Sequence, residues 1–302
     1  SLLIGLFISN IFSIPKWLKE SLSSELFVKI GLVLLGTTVL FDDLLKAGAL
    51  GLIQSCVVVF TVWNFCFWLC RKMKIDKEMS LMLSSAVSIC GVSAAVATAG
   101  AIKGDKTKLS YVVSLVLVVA VPMILIMPGL AKLMGLPEDM AGAWIGGTID
   151  TTGAVAATGA IYGEVALQTS TIVKFSQNVL LGVAAFLISI YWSYSKKEVT
   201  EEKPTLKVIW LRFPKFVLGF VAASLVFSFC VAPEVVSDAK PILKNIQGMW
   251  FALAFMSIGL ETDFKSLITS ENRRSTYAFL GAQSFNVVFT LLVAWILFGL
   301  IA

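Results

Sequence analysis

Apolar residues fill most of the chain in long runs, and the polar positions between them fall into short charged groups. A helix needs roughly 17 to 25 predominantly apolar residues to cross a hydrocarbon core of about 30 Å. The pattern offers a short first segment over 1–12, then 27–41, 47–70, 80–102, 109–134, 140–161, 165–194, 216–232, 247–260 and 275–302. These predict an all-α polytopic membrane protein of about ten transmembrane helices. The first segment lacks the basic leader of a signal peptide, so the sequence is expected to start inside a helix. Pro122 and Pro128 should kink the 109–134 span by removing backbone donors. Residues 233–244 read as a short surface segment, and 195–214 as a solvated connection.

Two of the spans are interrupted in the same way. Residues 90–102 read CGVSAAVATAGAI and residues 149–161 read IDTTGAVAATGAI, with matching Ala, Val, Gly and Ile positions at an offset of 59. In each, a small or polar break precedes about two turns of alanine-rich helix. Such a break leaves a half-helix N-terminus at membrane depth, with free N–H groups and the positive end of a dipole. A pair of them is a ready anion site. A second match, GTTVLFDDLL from Gly36 against GLETDFKSLI from Gly259, suggests an internally duplicated transporter of the inverted-repeat type. The two matches run in opposite order relative to the breaks, so one simple duplication does not explain both.

Composition agrees: 58% of residues are hydrophobic, only 14% are charged and the mean hydropathy is +0.89, far from a soluble domain with about a quarter charged. The net charge of +5 does not signal nucleic acid, because Lys and Arg sit in short loops with no basic aromatic face. If the 71–78 loop is cytoplasmic and every segment crosses once, that side collects 16 Lys and Arg against 6, as the positive-inside rule requires. The count depends on each broken segment crossing rather than re-entering. Histidine is absent, which removes the usual proton shuttle and the commonest metal ligand. The five cysteines form no CxxC pair and read as buried free thiols. With no triad, metal cluster, phosphate loop or dinucleotide motif, no enzyme is expected and no cofactor beyond a coupling ion, H⁺ or Na⁺.

The candidate site lies at the breaks: Cys90, Gly91, Val92, Ser93 and Ala94 in the first, and Thr148, Asp150, Thr151, Thr152 and Gly153 in the second. A carboxylate at membrane depth costs several kcal/mol unless paired, protonated or hydrated, which makes Asp150 the expected ion or proton coupling residue. The alternative is a helix N-cap, a role Asp fills well. Lys174, about ten residues into its span, is open to three roles: neutralising Asp150, holding fixed charge for an anion, or snorkelling to the surface. Gln177 and Asn178 share its helix face, with interhelical packing as their plain alternative. Ser88, Thr98 and Thr158 add hydroxyls, and Gln283 with Asn286 in the last span are weaker candidates of the same kind.

The runs GLVLLGTTVLFDDLLKAG, SICGVSAAVATAGAIKGDK, WIGGTIDTTGAVAATGAIYGE, IVKFSQNVLLG and FMSIGLETDFKSL, spread over nearly the entire chain, resemble the YeiH-type sulfate-exporter family of bacterial inner-membrane proteins. That family is similar to the cation/proton antiporter and bile-acid-type anion transporter superfamily. The resemblance implies two inverted repeats, a core domain (around 80–194) with two broken, crossed helices, a scaffold from the remaining helices that makes a homodimer, and elevator-like alternating access. Many members carry His-Glu where this chain has Asp150-Thr151, and Gln where Ala154 stands, so substrate identity does not carry over. The expected function is a secondary active transporter of a small sulfate- or sulfonate-like anion, bound between half-helix N-termini in the bacterial inner membrane. The alternative is a cation (Na⁺)/proton antiporter with Asp150 as the ion site; a channel or sensor on the same fold is a third class.

Overall fold

The computed structural model describes residues 2–11, 24–39, 41–196, 215–261 and 273–301, and no strand occurs among them. The helices are α1 (Leu2–Ile11), α2 (Ser24–Gly36), α3 (Phe41–Lys72), α4 (Lys77–Ser85, ending in a π turn over Ala86–Cys90), α5 (Val92–Ile102) and α6 (Lys106–Leu133). There follow α7 (Glu138–Thr148), α8 (Thr152–Tyr162), α9 (Glu164–Lys196), α10 (Phe216–Leu225, with a π turn over Val226–Cys230), α11 (Pro233–Glu261) and α12 (Arg273–Ala294, continued by a π turn over Trp295–Ile301). Among the described residues, four stretches are long and apolar enough to span a membrane: Ala47–Lys72, Lys106–Leu133, Glu164–Trp192 and Arg273–Leu300. The helix α6 is continuous through Pro122 and Pro128. Residues 233–244, expected as a separate surface segment, are the first half of the single helix α11.

The broken segments do not cross. Each is a helical hairpin whose two ends are tied together at one face of the molecule. At the mouth of the first (α4 and α5), Lys108 Nζ donates to Asp76 Oδ1 at 2.8 Å and to Glu78 Oε2 at 2.9 Å, and the Asp105 N–H donates to Glu78 Oε1. At the mouth of the second (α7 and α8), the Val165 N–H donates to Glu138 Oε2 at 2.9 Å and the Tyr162 hydroxyl to Leu136 O at 2.5 Å. A crossing would separate these ends by a bilayer thickness. The 28 residues of α6 rise about 42 Å and carry the chain from one mouth to the other, so the hairpins open to opposite faces. The ten-crossing count, which needed each break to traverse the bilayer, is corrected accordingly. Lys103, Lys106 and Lys108 thereby join Arg71, Lys72, Lys74 and Lys77 on one face, which also takes Arg273 and Arg274 through the contact of Tyr111 with Thr276. The other face holds Lys132 and Lys244, the latter paired with Glu164 at 2.7 Å.

The same order, hairpin then long span, therefore occurs twice, the second time from the opposite face. Glu78 and Glu138 do the same work in each: a first-turn glutamate accepts from the backbone N–H groups that start the next span, where a helix has orphan donors and a positive dipole. The GLETDFKSLI match lies partly outside the described residues, as does the 195–214 connection apart from its first two residues.

Small residues let the hairpins close on the spans. A Cβ on Gly142 would meet Ala166 O at 2.8 Å, one on Gly146 would meet Ser170 O at 2.5 Å, and one on Gly159 would meet Leu167 Cα at 2.8 Å. Without a hydrophobic driving force in lipid, this backbone approach supplies the packing energy. The helices α3 and α12 flank the hairpins, with Trp63 Nε1 donating to Ser85 Oγ at 3.2 Å and Trp144 Nε1 to Val287 O at 2.8 Å. The helices α1, α2, α10 and α11 pack on one another, Gly31 against Phe251 and Ser224 Oγ donating to Val39 O at 2.7 Å. They meet the hairpin group where Phe175 packs on Phe216 and Phe220 and where Val28 and Ile258 lie over Gly153.

The bonds that Asp76 accepts should make the mouth of the first hairpin sensitive to acid. Partial burial would raise the Asp76 carboxyl, but the bonds from the Lys108 ammonium and the Met79 N–H outweigh it and hold the group below the usual carboxylate range. A depressed folded value stabilises above the unfolded pKa, about 3.9, and is lost as pH falls through the folded one. Asp76 is half exposed, so the screened pair contributes about 0.5 kcal/mol. In melting curves, Asp76→Asn should be slightly less stable than the parent at pH 6, and the gap should close as pH falls below the usual carboxylate range. A gap that widens on acidification would contradict this.

Candidate functional site

The first hairpin turns at Gly91. Its N–H reaches back five residues to Ala86 O at 3.0 Å, which makes the π turn and leaves later carbonyls unclaimed. With φ 59° and ψ −112°, Gly91 takes a conformation that L side chains avoid. The second hairpin turns over Ile149–Thr151. Thr151 is the N-cap of α8, its hydroxyl accepting from the Ala154 N–H at 3.3 Å. The N-cap alternative for Asp150 is therefore corrected: the residue after it does that work.

The two tips touch. A Cβ on Gly91 would lie 2.7 Å from Val116 Cγ1, 3.2 Å from Asp150 Cβ and 3.3 Å from Thr151 Cγ2. Beyond the tips, α5 starts with Val92, Ser93 and Ala94, and α8 with Thr152 and Gly153. Ser93 is exposed, Val92, Thr152 and Gly153 are half-buried, and Cys90 and Ala94 are buried. Ser88 and Thr158, expected to offer hydroxyls, turn them onto their own helices, to Ser84 O and Ala154 O, each at 2.7 Å.

Side chains from α9 and α12 satisfy the carbonyls at the incoming ends. Lys174, 1% exposed, does not snorkel; its ammonium donates to Ile89 O at 2.7 Å and to Gln177 Oε1 at 2.8 Å. Gln177 Nε2 donates in turn to Gly147 O at 3.0 Å. Gln283 Nε2 and Asn286 Nδ2 both donate to Thr148 O, at 3.0 and 3.2 Å, and Asn286 Nδ2 also reaches Val87 O at 3.1 Å. Cations and amide donors at helix C-termini complement the negative dipole end. Asn178 belongs to the other side of the second tip, with Nδ2 donating to Thr152 Oγ1 at 3.2 Å.

Asp150 is 2% exposed and makes no ion pair within 4.0 Å among the described residues. Its Oδ2 has no hydrogen-bond partner, and neither do Thr148 Oγ1, Asn178 Oδ1 and Gln283 Oε1. Buried polar atoms are ordinarily paired, so each of these oxygens, and the Asp150 carboxylate above all, is open to a proton, water or a hard cation. Among the described residues no group of three Cys, Asp or Glu side chains gathers to hold a metal ion.

The structure brings Lys174, Gln177 and Asn178 to the two tips and adds α12, whose Gln283 and Asn286 the sequence reading ranked as weaker candidates. The signal there was an amide pair three residues apart in an apolar span, which at membrane depth needs partners.

Comparison with known proteins adds the following. The family described as conserved hypothetical protein 698 matches residues 1–278. The chain is 40% identical to a UPF0324 membrane protein of Rhodopirellula baltica over 100% of its own length and 57% of that protein's. It is 38% identical to a UPF0324 membrane protein of Nitratidesulfovibrio vulgaris, over 100% of this chain and 54% of the relative. With one from Nitrosomonas europaea the identity is 31%, over 88% and 62%. The chain therefore spans just over half the length of the first two relatives. No solved structure matches it.

Proposed function

Because the chain belongs to the conserved hypothetical protein 698 family of membrane proteins, we propose that it is a multi-pass secondary transporter that moves a small sulfate- or sulfonate-like anion by alternating access. The observation that carries this reading is the meeting of two hairpin tips, Gly91 against Asp150 and Thr151, inside an apolar bundle. The anion would bind the N–H groups of 92–94 and 152–153, with the Ser93 and Thr152 hydroxyls, as helix N-termini favour. Asp150 would carry the coupling H⁺ or Na⁺, since a lone carboxylate beside an anion needs a compensating positive charge. The hairpins with α6 and α9, about 80–194, would form the moving core, and α1, α2, α10 and α11 the scaffold of a homodimer. The Lys-rich face would be the cytoplasmic side of a bacterial inner membrane.

A specific observation favours a second reading, cation/proton antiport at Asp150. The unpartnered atoms near the tips are all oxygens, the donors that hard cations prefer, and Lys174 spends its charge on Ile89 and Gln177 rather than on an open cavity. Flux in proteoliposomes under sulfate, sulfonate, Na⁺ and pH gradients separates the two. Sulfate-dependent flux that responds to pH or Na⁺ supports the anion reading. Flux driven by Na⁺ or pH with no anion effect would overturn it in favour of antiport.

A further inference from the structure

We propose that Asn286 is a positioning residue for the site between the tips: one amide, donating to Val87 O of the first hairpin and Thr148 O of the second, holds the two tips in register. This rests on the transport reading for its functional meaning, and on geometry alone for the mechanical part.

Both carbonyls need an outside donor. The five-residue reach of the Gly91 N–H to Ala86 O leaves Val87 O without that N–H, which would be its partner in regular α-helix, and Thr148 O lies past the last backbone bond of α7, Ile149 N–H to Ile145 O. A carboxamide nitrogen carries two N–H groups, and the distances of 3.1 and 3.2 Å give one to each hairpin. The amide cannot turn over without loss, because the Thr290 hydroxyl donates to Asn286 Oδ1 at 2.7 Å, and a flip would set oxygen against two carbonyls. A two-residue tie from α9 parallels it: Lys174 on Ile89 O, Gln177 on Gly147 O, and the two joined to each other. Asn286 makes the same connection through a single side chain, so a shift of Thr148 when Asp150 two residues later gains or loses a cation passes directly to the π turn before Gly91. Binding at one tip is then felt at the other.

Asn286→Asp keeps the Thr290 bond and, with its carboxylate ionised, removes both donors. In ligand-free protein in lipid nanodiscs, hydrogen exchange should quicken about tenfold or more at both 88–92 and 149–153. A change at one tip only, or at neither, would overturn the proposal. If Asn286→Asp fails to fold, Thr290→Val tests the same point by freeing the amide, and Thr290→Ser should restore parental exchange. The functional arm measures sulfate affinity by thermal shift with and without Na⁺ and at two pH values. The parent's cation-dependent change in sulfate affinity should vanish in Asn286→Asp while sulfate alone still binds; a retained change would overturn the coupling role. If the parent responds to neither sulfate nor cation, the transport reading fails, and the exchange data still decide whether Asn286 registers the tips.

Discussion

Asp150→Asn should melt at a higher temperature than the parent and lose its dependence on pH and Na⁺. The substitution keeps the shape of the side chain and removes a charge that lies 2% exposed with an oxygen lacking any protein partner. An unpaired buried carboxylate costs several kcal/mol unless it protonates or holds a cation. Neutralising it should therefore gain about 1–3 kcal/mol, the range of buried polar penalties, or roughly 2 °C per kcal/mol in a chain of this size. Function would move the other way, because the group that is costly to the fold is the one that can carry the coupling ion. Scanning calorimetry and ion-gradient flux on the same preparation decide it. A lower melting temperature with intact ion dependence would make Asp150 a structural residue and remove it from the transport mechanism.

Lys174→Met should do the opposite to stability. The ammonium is the partner of Ile89 O at 2.7 Å and of Gln177 Oε1 at 2.8 Å; methionine fills the same volume and donates to neither. Two acceptors would be stranded away from water, at about 1–3 kcal/mol each, and Gln177 would lose what orients its bond to Gly147 O. The expected loss is about 2–5 kcal/mol, visible as a fall of several degrees in melting temperature. If Lys174 instead acts as fixed charge for the anion, the variant would keep its melting temperature and lose only sulfate-dependent flux. The pair of variants thus separates a carboxylate kept for function from a cation kept for structure.

The breaks were legible from the residues that make them. Gly91, and Asp150 followed by two threonines, are poor in helix interiors and good at ends, and the structure interrupts its helices there. That Lys174 needed either a partner or a route to the surface was also legible, because a cation in mid-span has few alternatives; its acceptor was not, since Ile89 O is a backbone atom whose availability depends on a π turn. Re-entry could not be read at all. In lipid a returning hairpin and a crossing helix show the same apolar run, and only the bonds of Glu78 to Asp105 and of Glu138 to Val165 say on which face the ends meet. The importance of Asn286 was hidden for the same reason: an amide in an apolar helix announces that it needs partners, but not whose.

By itself the sequence determined that this is an all-helical membrane protein, where its helices break, and which polar side chains have no solvent to retreat to. Those follow from transfer energies and helix propensities, which are local properties of short windows. The tertiary structure alone decided that the breaks are hairpin tips, that they meet at Gly91 and Asp150, and that Lys174, Gln177, Gln283 and Asn286 cap their carbonyls. Those depend on which unsatisfied backbone groups come within hydrogen-bond reach of which donors, and residues from 30 to 199 positions apart in the chain have to be folded together before that is defined.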